Sequence, residues 1–385
     1  MSSLRDLYLV DPTFTLFNNG SLGTVPRPVL DALFALECEM EFHPGKFFGM
    51  LRGRMDEVRA QVAEYLGTTS GNLSFVVNAT TALNFPIRSL QLGPGDEVLS
   101  TDHEYGALNN AWRYMAKQRG FTYINHPIRV PMTTREAFVE NLWEGVTPRT
   151  KVIFLSHITS PTALIWPVEL VCARARREGI LTIVDGAHAP GQIPLKLDEI
   201  GADFYVGNLH KWACAPKGTA ILYARPEVQH VIEPLVIGWP WRDEPADAKH
   251  YIDYVEGMGT RDLCGFLAVP AALKFMREHH WEEVRAECHA LAAQAQRRLC
   301  EMSGRLPLHP IEDDSWFSQM CLAPLPDDAD IGQLSSRLYE CHRIETAMPN
   351  WNGYKSIRIS VQAYLGQADI DRLIDAIRQA IVAGC

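Results

Sequence analysis

Nothing in the 385 residues approaches the run of roughly 20 apolar positions that crosses a bilayer, so no membrane span is expected. The opening Met1-Ser-Ser-Leu-Arg-Asp has no apolar core of the kind a secretory signal carries, and a cytoplasmic chain is the expectation. Dense basic blocks are missing too: 36 Lys and Arg against 46 Asp and Glu leave a net charge of −10, a poor match for nucleic acid. The nine cysteines are odd in number, scattered and never spaced C-x-x-C, which argues against a zinc site or disulfide exchange and for a reducing compartment. No G-x-G-x-x-G joins a first strand to its helix, which removes the usual support for a nicotinamide-binding dehydrogenase. Repeats, low-complexity tracts and long linkers are also absent.

What is there is ample apolar material, 47% of residues, on a chain long enough for two or three domains. From about Pro26 to Tyr223, amphipathic stretches alternate with short apolar runs, the pattern of an α/β protein whose sheet is covered on both faces. Strands are predicted at Leu73–Val77, Glu97–Ser100, Phe121–Asn125, Val152–Ser156, Leu181–Val184, Phe204–Val206 and Thr219–Tyr223. Helices are predicted at Met55–Leu66, Thr81–Leu90, Ala107–Arg119, Arg135–Leu142 and Val168–Glu178. Beyond Arg225 a Trp/Pro-rich passage (Gly238-Trp-Pro-Trp-Arg-Asp-Glu-Pro) leads to helices near Leu267–Glu278, Trp281–Met302 and Ala368–Val382, interleaved with short strands. The expected organisation is a large α/β domain over 18–262 with a mostly parallel seven-stranded sheet, and a smaller α+β domain made of 1–17 plus 263–385.

Ligands on open α/β sheets bind at the carboxyl ends of strands, so the polar residues that follow each apolar run carry the argument. After Leu73–Val77, Thr80 and Thr81 open a helix whose N–H groups and dipole favour an anion; an ordinary N-cap would look the same. After Glu97–Ser100, His103 and Tyr105 place two flat rings near the ligand edge, and either could cover a planar cofactor; a capped loop histidine is the plain alternative. After Leu181–Val184, Asp185 needs either a structural ion pair or a cationic ligand, with His188 three residues on. After Phe204–Val206 comes Asn208-Leu-His-Lys211-Trp, where apolar neighbours would desolvate Lys211 and make it nucleophilic, although most lysines simply reach past such neighbours into water. Together these supply an anion cup, a ring stacker, an acid for a ring nitrogen and an imine-forming lysine, the four protein groups that pyridoxal 5'-phosphate requires.

The same residues resemble the class V aminotransferase family of fold-type I pyridoxal phosphate enzymes, which includes cysteine desulfurases, kynureninases and isopenicillin N epimerases. Phe17-Asn-Asn-Gly-Ser-Leu-Gly23, Thr101-Asp-His-Glu-Tyr-Gly-Ala107, His157-Ile-Thr-Ser-Pro-Thr-Ala163 and Asn208-Leu-His-Lys-Trp212 are most similar to the isopenicillin N epimerase-like branch. The resemblance implies that Lys211 holds the cofactor as an imine, Asp185 meets the pyridine nitrogen, and His103 stacks on the ring with Tyr105 as its alternative. It implies His188 and Ser160 near the phenolic oxygen, and Thr80, Thr81, Asn208 and His210 around the phosphate. Gly259-Thr260 matches the segment that completes a neighbouring subunit's cup, which implies a homodimer with shared active sites. Arg358, in Ser356-Ile-Arg-Ile-Ser360, matches the arginine that grips the substrate α-carboxylate, whereas strand alternation alone would put it on a wet edge.

One departure bears on the reaction. The loop that carries the nucleophilic cysteine of desulfurases reads Glu345-Thr-Ala-Met-Pro349 here, with Thr346 in the sulfur's place and Cys341 five residues earlier. The expected activity is removal of the Cα proton of an amino acid or amino-acid-derived substrate, with an epimerase-like or C–S lyase-like outcome. Transamination is the alternative within the family. A catalytically idle binding or regulatory relative is the alternative outside it, and it would be expected to lack Lys211 or Asp185. No metal is expected.

Overall fold

The structure, a computed structural model, describes residues 4–243 and 250–382. Met1–Ser3, the Glu244-Pro245 end of the Trp/Pro-rich passage and Cys385 lie outside the described residues.

Every run predicted as a strand forms one: β1 (Leu73–Val76), β2 (Glu97–Thr101), β3 (Thr122–His126), β4 (Thr150–Ser156), β5 (Leu181–Asp185), β6 (Phe204–Asn208) and β7 (Ala220–Ala224). They build one seven-stranded sheet in the order β1-β7-β6-β5-β4-β2-β3. All neighbours are parallel except β7, which runs antiparallel to both β1 and β6. The side-chain period of two divides each central strand between two cores: Val152 and Phe154 of β4 pack into one, Ile153 and Leu155 into the other. Burial on both faces explains why these strands read as continuous apolar runs rather than as alternating ones.

The covering helices Ala79–Ser89, Gly106–Arg119, Arg135–Trp143 and Val168–Arg177 fall where they were predicted. Their starts are fixed locally: the Asn78 carboxamide accepts from Thr81 N at 2.8 Å and the Thr134 hydroxyl from Ala137 N at 3.0 Å. The helix predicted at Met55–Leu66 is longer, running from Pro44 to Tyr65, and it follows a second helix over Arg27–Phe42. Gly45, Gly49 and Gly53 hid its first turns from the sequence reading, because each costs helix propensity. Pro44 at the first position and His43, whose Nδ1 accepts from Lys46 N at 3.3 Å, start the helix regardless.

The C-terminal part pairs β8 (Met320–Pro324) with β9 (Ser356–Ser360) in antiparallel register, Arg358 facing Leu322. The long helix Trp281–Ser303 packs on β8 and on the final helix, Gln367–Val382. Thr15–Leu16 pairs in parallel with Ile344–Glu345, which ties this N-terminal strand to the C-terminal part.

Candidate active site

Thr101, Ser156, Asp185 and Asn208 close β2, β4, β5 and β6, so four neighbouring strands end at one place. A cavity of about 530 Å³ opens there. Of the residues expected from sequence, Thr80, Tyr105, Ser160, Asp185, His188, Asn208, Lys211 and Arg358 line it.

Asp185 is buried, and one of its oxygens accepts from Ala187 N at 2.9 Å. The turn that brings this N–H back needs Gly186, since a Cβ there would lie 2.3 Å from the Tyr205 ring. Burial raises the Asp185 carboxyl above its ordinary range, while Ala187 and the Lys211 charge pull it down. Lys211 Nζ stands 3.3 Å from His188 Nε2, and His188 Nδ1 accepts from the Trp212 indole N–H at 3.4 Å. With Nδ1 occupied as an acceptor, the neutral imidazole carries its proton on Nε2 and donates it to the lysine. Such a donor suits an uncharged amine. Burial lowers Lys211 to about 8, Arg358 pushes the same way, and Asp185 opposes. His188 is pushed well down by burial, then by the charges of Lys211 and Arg358.

The anion end is built around the helix start at Ala79. Asn208 Oδ1 accepts from Ala79 N at 2.9 Å, tying the end of β6 to the helix, and Thr80 at the second helical position is exposed on the cavity wall. Thr81 and His210 do not line the cavity. Thr81 gives its N–H to the Asn78 cap, and His210 Nδ1 donates to Thr219 O at 2.8 Å while burial lowers its pKa to about 4. Thr260 is exposed and outside this chain's cavity, as service to a neighbouring subunit would require.

His103 is a correction. It is fully buried and does not line the cavity, whereas Tyr105 lines it and keeps 48% of its surface exposed. The loop path decides this: Thr101 Oγ1 accepts from His103 N at 3.2 Å, and His103 Nδ1 meets Thr162 Oγ1 at 2.7 Å. The imidazole is wedged between Trp166 and Trp351, with ring centroids 5.1 and 4.3 Å away, and burial lowers it to about 4. Tyr105, the alternative, is the ring that lines the cavity.

Arg358 overturns the wet-edge pattern of its strand: all of β9 is buried, and Arg358 retains 6% exposure. Its Nη1 donates to Ser160 O at 2.6 Å, its Nη2 to Ser21 Oγ at 3.1 Å, and Nε has no partner among the described residues. Burial lowers even this guanidinium to about 10. Missed by the sequence reading were Ser21, Ser156 and Glu104, the last flanked by two rings that were considered.

The class-V aminotransferase family model matches residues 46–325. The chain is 31% identical over 391 residues to isopenicillin N epimerase of Amycolatopsis lactamdurans, covering 98% of both chains. It is 27% identical to a putative L-cysteine desulfhydrase of Oryza sativa, over 95% of this chain and 83% of that one. The crystal structure of the cysteine desulfurase CsdA from Escherichia coli superposes with a TM-score of 0.80 at 19% identity, over 99% and 98% of the two chains, which shows a common fold. The chain belongs to the class-V aminotransferase family of pyridoxal 5'-phosphate enzymes and has their fold-type I architecture.

Proposed function

We propose that this enzyme holds pyridoxal 5'-phosphate in the strand-end cavity and removes the Cα proton of an amino-acid substrate, inverting that centre or expelling a sulfur-bearing β-substituent. The residues fit the group. Asp185 offers a buried carboxylate to the ring nitrogen, Tyr105 and Ala187 offer flat or small surfaces to its faces, and Thr80 offers its hydroxyl and the positive end of its helix to the phosphate. Bound there, the cofactor supplies an electron sink for a carbanion at the substrate Cα.

The observation that carries the reading is Lys211, the one lysine lining the cavity among the described residues, lowered to about 8 by burial and lying in one cavity with Asp185 and Arg358. Arg358 takes the α-carboxylate in its guanidinium fork and fixes the Cα–H bond toward Lys211 Nζ, which receives the proton. Asp185 keeps the ring nitrogen cationic so that charge can leave Cα. No described cysteine lines the cavity: the segment corresponding to the desulfurase loop presents Ala347, Met348 and Pro349, and Cys341 is exposed past the end of the helix Ile331–Glu340. This supports chemistry without a protein-bound persulfide. The active unit is read as a homodimer in which Thr260 of one copy completes the phosphate cup of the other.

Borohydride reduction of the purified holoenzyme followed by peptide mapping tests the site, and a pyridoxyl label anywhere but Lys211 sinks it. A panel of amino acids and cysteine conjugates, scored for loss of optical activity, pyruvate and ammonia, tests the reaction. Stoichiometric keto acid with amino-group transfer would instead establish a transaminase.

A further inference from the structure

Glu104 is a buried acid that the chemistry above leaves unused. It keeps 5% of its surface exposed and sits where β2 and β4 end. One carboxyl oxygen accepts from Thr101 Oγ1 at 2.7 Å and the other from Ser156 Oγ at 2.5 Å. Ser156 lines the cavity and lies directly opposite Asp185 in the register of β4 on β5. Glu104, in the loop after β2, and Asp185, at the end of β5, are thus separated by the end of β4, where Ser156 touches Glu104 and neighbours Asp185.

The groups acting most on Glu104 bring no cation; Arg113, on the helix Gly106–Arg119, reaches Asn125 Oδ1 at 3.1 Å and acts on Tyr123. From β3 comes Tyr123, whose hydroxyl donates to Asn109 Oδ1 at 2.7 Å. From its own loop come Asp102, engaged by Ile128 N at 3.0 Å and Asn352 Nδ2 at 2.8 Å, and His103, turned toward Thr162. From β5 comes Asp185, a charge of the same sign. Burial outweighs the two hydroxyl donors and the Ser156 N–H, and Asp185 adds to it, so Glu104 keeps its proton up to about pH 7, donating it to one of the two hydroxyls, which then accepts instead of donating.

We propose that Glu104 is a positioning residue for the cofactor: a second carboxyl group, linked through Ser156 to the strand end of Asp185, whose charge sets how firmly Asp185 holds a proton on the ring nitrogen. The proposal rests on the reading that the cavity holds pyridoxal 5'-phosphate. While Glu104 is neutral, Asp185 is the anionic side chain that lines the cavity. When Glu104 gives its proton to solvent, a second negative charge arises in a poorly screened site and raises the proton affinity of Asp185 and of the nitrogen it faces.

The test is the holoenzyme reconstituted with cofactor carrying ¹⁵N at the ring nitrogen, its chemical shift followed from about pH 6 to about pH 8.5. An inflection close to neutrality is expected in the parent and not in Glu104→Gln, which has the same shape and no charge to lose. The kcat/KM of the variant should match the parent at about pH 6, where both side chains are neutral, and fall to roughly a tenth at about pH 8.5. A packing defect would lower both values alike. The same inflection in parent and variant overturns the role. Should the variant fail to fold, the parent decides alone: a bound-cofactor signal that does not move across this range overturns it. No bound-cofactor signal at all overturns the proposed function and this role together.

Discussion

The strand-end cavity and the face carrying the helices Arg27–Phe42 and Pro44–Tyr65 depart from ordinary burial in opposite directions. At the cavity, Asp185, Glu104, His188 and Arg358 are ionisable groups withdrawn from water. On the helical face, Phe34, Phe42 and Phe48 are large apolar groups left in it, Phe42 with 91% of its surface exposed. Pro240 lies against the same face beside Phe48, and the adjoining Trp239 is 97% exposed. A buried charge is costly unless a partner or ligand answers it, and exposed aromatic surface is costly unless something covers it. The first region fits a small molecule, and the second is apolar surface that the partner copy of the homodimer proposed above would cover.

The cavity half of this comparison breaks most completely at Lys211. Lys211→Met should reduce turnover roughly 1,000-fold or more, because covalent attachment of the cofactor and the base disappear together. The same variant tests how burial depresses the amine. In the cofactor-free protein the folded value is about 8 against 10.5 for an unperturbed lysine, so between these values the unfolded chain binds more protons and stability rises with pH. Lys211→Met should therefore be the more stable protein at neutral pH, and urea midpoints should show that lead shrinking as pH climbs through this window.

Asp185→Asn should preserve the fold and lower kcat roughly 100-fold or more, since an amide cannot hold the ring-nitrogen proton by charge. Near-normal steady-state turnover would make the carboxylate structural. Arg358→Lys keeps the charge but loses the fork; the cofactor spectrum should survive while kcat/KM for α-amino acids falls at least roughly tenfold. An unchanged value would point to an amine substrate without an α-carboxylate. The smallest effect belongs to the outer face. Phe42→Ser should weaken self-association by about tenfold, read by sedentation-equilibrium or light-scattering mass against concentration, with little change in the far-ultraviolet circular dichroism. A mass independent of concentration in parent and variant alike would refute this face as the covered one.

What could be read in the sequence follows from which physical signals are local. β4 and β5 announce themselves because residues such as Ile153, Phe154, Ile183 and Val184 are buried on both faces. Asp185 and Lys211 stand out because a polar residue straight after such a run has few structural excuses. His103 and Tyr105 could not be ranked, because two rings two residues apart in a loop trade places with one backbone turn, and His103 is held by Thr162 from elsewhere in the chain as well as by the adjacent Thr101. The proton-holding environment of Glu104 was equally invisible: it is made by hydroxyls of β2 and β4 brought together only by the sheet. Arg358 came from resemblance and not from pattern, since alternation has no means of showing that both faces of β9 are covered.

The contacts of Arg358 with Ser160 and Ser21 have a further consequence, one of entropy. A free arginine has rotamer freedom worth roughly 2 kcal/mol that a ligand must suppress before it can use the fork. Here Ser160 O and Ser21 Oγ have already fixed the guanidinium from two sides, and the side chain is frozen before any substrate arrives. In the proposed role an incoming carboxylate would meet a rigid receptor and give up its own motion alone, and these two serines would add to substrate affinity by holding the arginine still.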